Sequence, residues 1–429
     1  MKTIKNTIKR LEKDELAKNG ILMFISGTVV GILNYIYQIY MGRALGPEEY
    51  GVFGALFAIF YMIGIISQTL GTSTTQFISR FAGEGRDIGF FIKGCLKRTI
   101  MIGSVISILF LLFSWEFMNL LKLPSIWPII ILILILFLSW INPIIDGSLR
   151  GIKRFYALGF VNIFNTSFKL VFGIALVLAG FGVSGALAGV AIGTILGLII
   201  SMIFLKPFMK TNNIDEHDFR FSSFYSYSLP VMVAMICISV PSNLDLILAK
   251  FFFSPIEAGL YTSVSVLGKI IFFFSGAVGA VMFPVIAEKY AKGEETRTIL
   301  KKSILCAGAL SGCLVSIYVL FPQIVIRIFG ENYVNAVGFV APYGAAMFFV
   351  SIISIIMNYH LAIKNMRFVA LFALFTIIEV ALLVLLNTSI SQMINVLFVA
   401  NFVFLIVSMT YTFLRADDAI CSNIRPVPG

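Results

Sequence analysis

The sequence predicts an all-α integral membrane protein: twelve transmembrane helices in two lobes of six, related by a pseudo-twofold axis along the membrane normal, with both termini cytoplasmic. Three observations predict it: an apolar composition, a one-sided distribution of basic residues, and an internal repeat. Of 429 residues, 59% are hydrophobic and 12% charged, with mean hydropathy +0.98. Soluble domains carry about 25% charged residues. Half the surface charge a water-facing protein needs is therefore missing, and the bilayer is the solvent that tolerates such a chain.

Apolar stretches between charged or Gly/Pro/Asn breaks place the spans near 20–41, 50–72, 96–117, 126–147, 155–179, 183–205, 224–252, 257–284, 302–322, 337–360, 367–386 and 392–413. The run at 126–141, "IWPIIILILILFLSWI", carries no charge at all. No cleavable signal peptide is expected, because the basic amphipathic segment 1–18 leads into a stretch long enough to stay in the membrane. With this division, 26 of the 32 Lys and Arg residues fall on one side, including the clusters around Lys93, Arg150 and Lys301. Arg43, Lys122, Lys250 and Arg327 fall on the other, and Lys169 and Lys269 lie inside spans. The positive-inside rule makes the basic side cytoplasmic. The net charge of +11 then belongs to the inner membrane face, not to a nucleic-acid surface.

The repeat is carried by "GRALGPEEYGVFG" at 42–54 and "AKFFFSPIEAGLYTS" at 249–263. Later echoes follow at similar offsets: "TTQFISRFAGEGRD" with "VMFPVIAEKYAKGEE", and "LRGIKRFYAL" with "HLAIKNMRFVAL". Six spans per repeat is an even number, so both halves enter the membrane in the same orientation. The expected organisation is a first lobe over 19–210, a cytoplasmic linker at 211–223, a second lobe over 224–414 and a tail from 415 to 429. Two such bundles suit alternating access, and a transporter is the expectation.

Polar side chains at membrane depth are functional candidates by default. Lys169 and Lys269 lie near mid-membrane and would meet a charged headgroup. Asp245 and Glu379 are candidates for coupling an ion, H+ or Na+. Asp245 and Lys269 can also be read as a structural pair. Asn34 and Gln38, one turn apart on one helix face, fit a cavity wall or interhelical glue. Arg43 sits at the outer corner beside Gly46 and Pro47. Asp146 is expected to pair with Arg150. Pro230 and Pro241 mark the seventh span as a gate or hinge.

Some classes are excluded. "GEGRD" at 83–87 lacks the Lys-Ser/Thr end of a Walker loop. The outer connections are too short to carry the carboxylates of a lipid-dependent glycosyltransferase, so no enzymatic activity is expected. The five Cys and two His residues show no metal-ligand spacing, and neither a metal nor another cofactor is expected.

The segment 19–63, "NGILMFISGTVVGILNYIYQIYMGRALGPEEYGVFGALFAIFYMI", resembles the opening of the polysaccharide biosynthesis exporters, the lipid-linked oligosaccharide flippases of the multidrug/oligosaccharidyl-lipid/polysaccharide (MOP) superfamily. The corner matches at Gly42, Arg43, Leu45, Gly46, Pro47, Tyr50 and Gly51, and "FISRFAGEGR" at 77–86 resembles the basic segment that follows. The resemblance implies a MATE-like fold in the cell membrane. It also implies flipping of polyprenyl-phosphate- or pyrophosphate-linked oligosaccharides, with membrane lipids and glycan-assembly enzymes as partners and a monomeric state. Basic cavity residues of that family meet the phosphates or acidic sugars, which by location supports Arg43, Lys169 and Lys269. Peptidoglycan-precursor flippases of the superfamily have two further helices and more cavity arginines, and this chain departs from both. A cation-coupled drug or metabolite antiporter of the same fold is the alternative, with Asp245 and Glu379 as its cation-responsive groups.

Overall fold

The computed structural model describes residues 2–209 and 221–414; side chains are described from residue 19 onward, except at 221–223, 225–231, 234, 237–238, 241–242, 274 and 414. The basic segment 1–18, the linker and the tail therefore lie wholly or largely outside the described side chains.

Helix α1 runs over Lys2–Gly83 and is broken once, at Gly46, where φ is 71° and ψ 172°. That region of backbone space is open essentially to glycine alone. Pro47 follows it, and proline's fixed φ and missing N–H suit the first turn of a helix. The first two predicted spans are thus the arms 2–45 and 47–83. A Cβ added at Gly46 meets nothing within 4 Å, so Gly46→Ala tests backbone strain alone. The expected loss is about 1–3 kcal/mol, read as a lowered thermal midpoint in detergent. Gly276→Ala, also with open space around it but mid-helix, should instead stabilise slightly.

The remaining helices follow the sequence closely: α2 (Ile88–Leu112), a short α3 (Ser114–Leu120), α4 (Trp127–Gly151), α5 (Phe155–Leu176), α6 (Gly182–Leu205), α7 (Phe221–Phe252), α8 (Pro255–Ala291), α9 (Arg297–Leu320), a short α10 (Ile324–Phe329), α11 (Val337–Ala362), α12 (Met366–Leu385) and α13 (Ile390–Leu414). Nine stretches among the described residues are long and apolar enough to cross a membrane, and two of them, Asn19–Gly83 and Phe155–Met209, hold two helices each. With α7 the long helices number twelve. The third span is displaced from its predicted place. α2 begins at Ile88, so Lys93, Lys97 and Arg98 lie on a helix and not in a connection. Asp87 sets that start, its Oδ1 accepting the Gly89 N–H at 2.7 Å. The "GEGRD" turn is closed by Glu84, which takes Arg80 at 2.8 Å and Arg86 at 3.0 Å. The Arg80 hydrogen bond holds the Glu84 carboxyl below its ordinary range.

Internal contacts divide the chain into two compact units, Met1–Ile236 and Cys237–Gly429. The division falls inside α7, beyond the 211–223 connection that the sequence suggests. α7 continues as helix through Pro230 and Pro241; their side chains lie outside the described residues.

The first unit packs on glycine. Gly185, Gly189, Gly193 and Gly197 stripe one face of α6, and a Cβ at Gly189 would lie 2.4 Å from the N and Cα of Gly173 on α5. Spacing of four residues brings such small side chains to one face, which lets helix backbones approach. The second arm of α1 meets α4 the same way: a Cβ on Gly147 would lie 2.3 Å from the Gly71 carbonyl oxygen, and the Thr75 hydroxyl donates to the Gly147 carbonyl at 3.1 Å. Around this seam lies an apolar core of Ile78, Phe81, Phe91, Trp140, Ile144 and Leu149. In the second unit α8, α9 and α11 bury Met282, Ile286, Leu300, Ile355 and Tyr359.

The duplicated corner is built by two different devices. In the first unit Gly46 turns the chain, and the Glu49 carboxylate reaches the start of α6. A Cβ on Gly182 would lie 2.6 Å from Glu49 Oε2, a placement that sets negative charge at a helix N-terminus. In the second unit Ser254 caps α8: its Oγ accepts the Glu257 N–H at 3.4 Å, and Glu257 Oε2 accepts the Ser254 N–H at 3.0 Å. Pro255 occupies the first helical position. One sequence pattern thus serves two local solutions.

Candidate functional site

In the first unit the polar site centres on Lys169. The glycine stripe of α6 crowds its backbone: a Cβ on Gly193 would lie 2.8 Å from the Lys169 nitrogen and 2.7 Å from the Asn165 carbonyl oxygen. The side chain is 9% exposed. Its Nζ donates to Asn34 Oδ1 on α1 and lies 4.6 Å from the centre of the Tyr37 ring. Tyr37 is fixed in turn, donating its hydroxyl to the Ala186 carbonyl at 2.6 Å. Among the described residues Lys169 forms no ion pair. A buried amine faced only by an amide oxygen and an aromatic ring has room in its chemistry for an anion.

Asn34 and Gln38 share the predicted face but serve different partners. Gln38 Oε1 accepts the Tyr50 hydroxyl at 3.5 Å, which ties the corner's tyrosine to the first arm of α1. Arg43 is exposed at the end of that arm.

In the second unit Asp245 and Lys269 do not pair directly. Asp245 is fully buried and is satisfied by neutral donors. Its Oδ2 accepts the hydroxyls of Tyr261 on α8 and Tyr343 on α11, both at 2.8 Å, and its Oδ1 accepts the Leu246 N–H at 2.9 Å. Ser265 Oγ lies 3.0 Å from the Tyr343 hydroxyl; since that hydroxyl's proton is given to Asp245, the serine donates. Lys269 is half-buried, and its Nζ donates to Asn243 Oδ1 at 3.1 Å. Opposite charge on neighbouring helices invites a pairing, but the two tyrosines claim the carboxylate first.

Glu379 on α12 is 2% exposed, and its Oε1 accepts the Asn401 amide of α13 at 2.8 Å. It lines a narrow cavity with Phe272, Ser354, Thr376 and Asn401, whose free volume is about 10 Å3, roughly the space one water needs. Asp146 meets its expectation only in part: its Oδ1 is buried with no hydrogen-bond partner among the described residues, and Arg150 acts on it electrostatically without a direct ion pair. Lys250, placed on the outer side at the end of the seventh span, is the last-turn lysine of α7 and is 1% exposed. His217 lies outside the described residues. Among those described, no cluster of His, Cys, Asp and Glu could hold a metal ion.

Sequence reasoning missed Tyr37, Tyr261, Tyr343 and Asn401, the neutral groups that hold the charged ones; Asn243 lies in "SNLD" at 242–245, the stretch of the second half that corresponds to Asn34 and Gln38. Of those missed, Tyr261 alone had a signal, being part of the repeated corner. The others are single aromatic or amide residues in a chain that is 14% aromatic, and nothing local distinguishes them.

Several solved structures share this fold. A multidrug resistance MATE family transporter of the MOP superfamily, in an inward-facing conformation, matches with TM-score 0.79 and 17% identity over 92% of this chain and 96% of that one. An outward-facing structure of such a transporter matches with TM-score 0.68 and 16% identity, over 95% and 97%. The lipid II flippase MurJ, in an inward closed conformation, matches with TM-score 0.71 and 15% identity, over 92% and 87%. At these identities the likeness concerns the fold alone, an all-α, multi-pass membrane architecture. Comparison with curated protein sequences finds no match. The profile of the polysaccharide biosynthesis proteins matches residues 16–290, more than half of the chain. It covers the whole first unit from the start of the first span and runs through the second corner to the end of α8. The chain is therefore a polytopic membrane protein that belongs to the polysaccharide biosynthesis protein family.

Proposed function

We propose that this chain moves a polyprenyl-phosphate- or pyrophosphate-linked oligosaccharide across the cell membrane by alternating access, driven by the substrate's gradient or by a coupling ion. The observation that carries the reading is the buried Lys169 amine, held by Asn34 and Tyr37 and, among the described residues, by no carboxylate, in a chain of the polysaccharide biosynthesis family. A phosphate is the counter-charge such an amine lacks. Lys269, also held by an amide oxygen, would serve the second unit in the same way, and Arg43 would meet the headgroup at the outer side. Asn34 and Gln38 would line the path.

A second reading, a cation-coupled multidrug or metabolite antiporter, has specific support. Multidrug resistance transporters are among the structural likenesses, in both inward- and outward-facing conformations, so on fold similarity this reading is the better backed. Asp245 and Glu379 are the buried carboxylates it needs, with α7 around Pro230 and Pro241 as the bending element. Family membership favours the glycan, and fold similarity favours the antiporter.

One reconstitution separates them. Proteoliposomes are loaded with labelled lipid-pyrophosphate oligosaccharide and, separately, with a fluorescent organic cation under an imposed proton or sodium gradient. The flippase reading expects protein-dependent movement of the lipid. Gradient-driven efflux of the cation with no movement of the lipid overturns it in favour of the antiporter.

A further inference from the structure

Every non-glycine residue found with positive φ among the described residues is a lysine: Lys122 at 50°, Lys153 at 60° and Lys364 at 58°. Two of them occupy the same place in the repeat, "GIKR" at 151–154 and "AIKN" at 362–365. The turns they make are alike bond for bond. α4 ends with the Lys153 N–H on the Arg150 carbonyl at 2.9 Å and the Arg154 N–H on the Leu149 carbonyl at 2.8 Å. α11 ends with the Lys364 N–H on the Leu361 carbonyl at 3.1 Å and the Asn365 N–H on the His360 carbonyl at 2.8 Å. Such helix ends ordinarily carry glycine, because the left-handed position crowds a Cβ. A lysine there is unfavourable for the backbone, so its side chain is the property to explain.

Both lysines are exposed, and each stands beside other exposed basic residues: Arg150 and Arg154 in the first unit, Arg367 in the second. Arg154 is steadied over the Phe208 ring at 5.4 Å. Apolar side chains flank each turn on the exposed surface, Tyr156 at 73% and Met366 at 53%, which is the mix of residues that sits at a headgroup layer. Both turns fall on the side that the basic residues assign to the cytoplasm, where the leaflet is anionic. No carboxylate pairs with either lysine among the described residues.

We propose that the Lys153 and Lys364 turns are a matched pair of binding sites for anionic phospholipid headgroups, one in each unit. The left-handed turn presents the ammonium at the end of its helix, together with the neighbouring arginines, to the lipid phosphate. This surface is separate from the Lys169 site and does not depend on what the chain transports.

The test uses the full chain in nanodiscs of phosphatidylcholine, with and without phosphatidylglycerol. Retained lipid is read by native mass spectrometry and stability by thermal midpoint. Wild type is expected to retain phosphatidylglycerol in excess and to be stabilised by it. Each of Lys153→Gly and Lys364→Gly should weaken that retention about fivefold. In pure phosphatidylcholine both should unfold at or above the wild-type midpoint, since glycine fits the turn. Lys153→Arg with Lys364→Arg should keep the excess. Lys122→Gly is the control: the backbone is the same, but no other basic residue lies between Arg98 and Arg150, and retention should not change. The proposal is overturned if the glycine double variant keeps the wild-type excess. It is equally overturned if that variant loses stability alike in both lipids, which would make the lysines helix caps only, or if Lys122→Gly removes as much lipid.

Discussion

Lys169→Met is expected to lower transport of the lipid-linked oligosaccharide at least about thirtyfold while leaving the protein folded. The side chain is 9% exposed and among the described residues its amine is held by Asn34 and Tyr37. Methionine keeps most of the volume and the apolar stem, so α5 keeps its packing. What disappears is the cationic group that Lys169 brings to that pocket. Removing one partner of a desolvated, hydrogen-bonded charge pair costs about 2 kcal/mol or more, and every 1.4 kcal/mol is about tenfold. The loss should appear in the rate of lipid movement in proteoliposomes, with gel filtration in detergent unchanged. Lys169→Arg should retain part of the activity, since the charge survives although the fit beneath Tyr37 does not. Wild-type flipping by Lys169→Met would make Lys169 a packing residue. The basic group facing the phosphate would then have to be sought at Lys269.

The spans were legible because the membrane imposes a coarse requirement. About twenty apolar residues per crossing is a signal that survives errors of several residues at each end. Gly46-Pro47 was legible because only a few residue types can turn a chain there. Partners were not. Nothing near Lys169 in the sequence points to Asn34, 135 residues away. The charges of Asp245 and Lys269 allowed a structural pair as one reading; they interact electrostatically but form no direct ion pair, because hydroxyls compete with ammonium groups for a carboxylate. Tyr261 and Tyr343 reach Asp245 from two different helices, and convergence of that kind is a property of packing, invisible in any single segment. The start of α2 was misplaced for a related reason. Lys93, Lys97 and Arg98 mark the edge of the apolar stretch, but a helix can continue past that edge on its own hydrogen bonds, and Asp87 caps it further out. Hydropathy reads the membrane boundary, whereas caps set the helix boundary.

The largest structural effect is expected at Gly189. The stripe Gly185-Gly189-Gly193-Gly197 was open to inspection but hidden among 35 glycines, and only packing shows which of them carry a helix contact. A Cβ at Gly189 would lie 2.4 Å from backbone atoms of Gly173, and one at Gly173 would lie 2.7 Å from the Tyr37 ring. Backbone cannot turn aside as the end of a side chain can. Any substitution therefore pushes α5 off α6, and α5 carries Lys169 with it. Overpacking usually costs about 1–3 kcal/mol, and with backbone on both sides the leucine variant should exceed that range. Gly189→Leu should fail to yield monodisperse protein. Gly189→Ala should fold with a lowered thermal midpoint and lose transport out of proportion, because a shift too small to unfold the unit still moves the amine away from Asn34. Gly308→Ala on α9, where a Cβ meets nothing within 4 Å, supplies the comparison and should leave transport unchanged and the thermal midpoint at or slightly above that of wild type. Should Gly189→Leu fold and transport as wild type does, the helices cannot be in backbone contact. The placement of Lys169 beneath Tyr37, on which the phosphate-binding argument rests, would then fall with that contact.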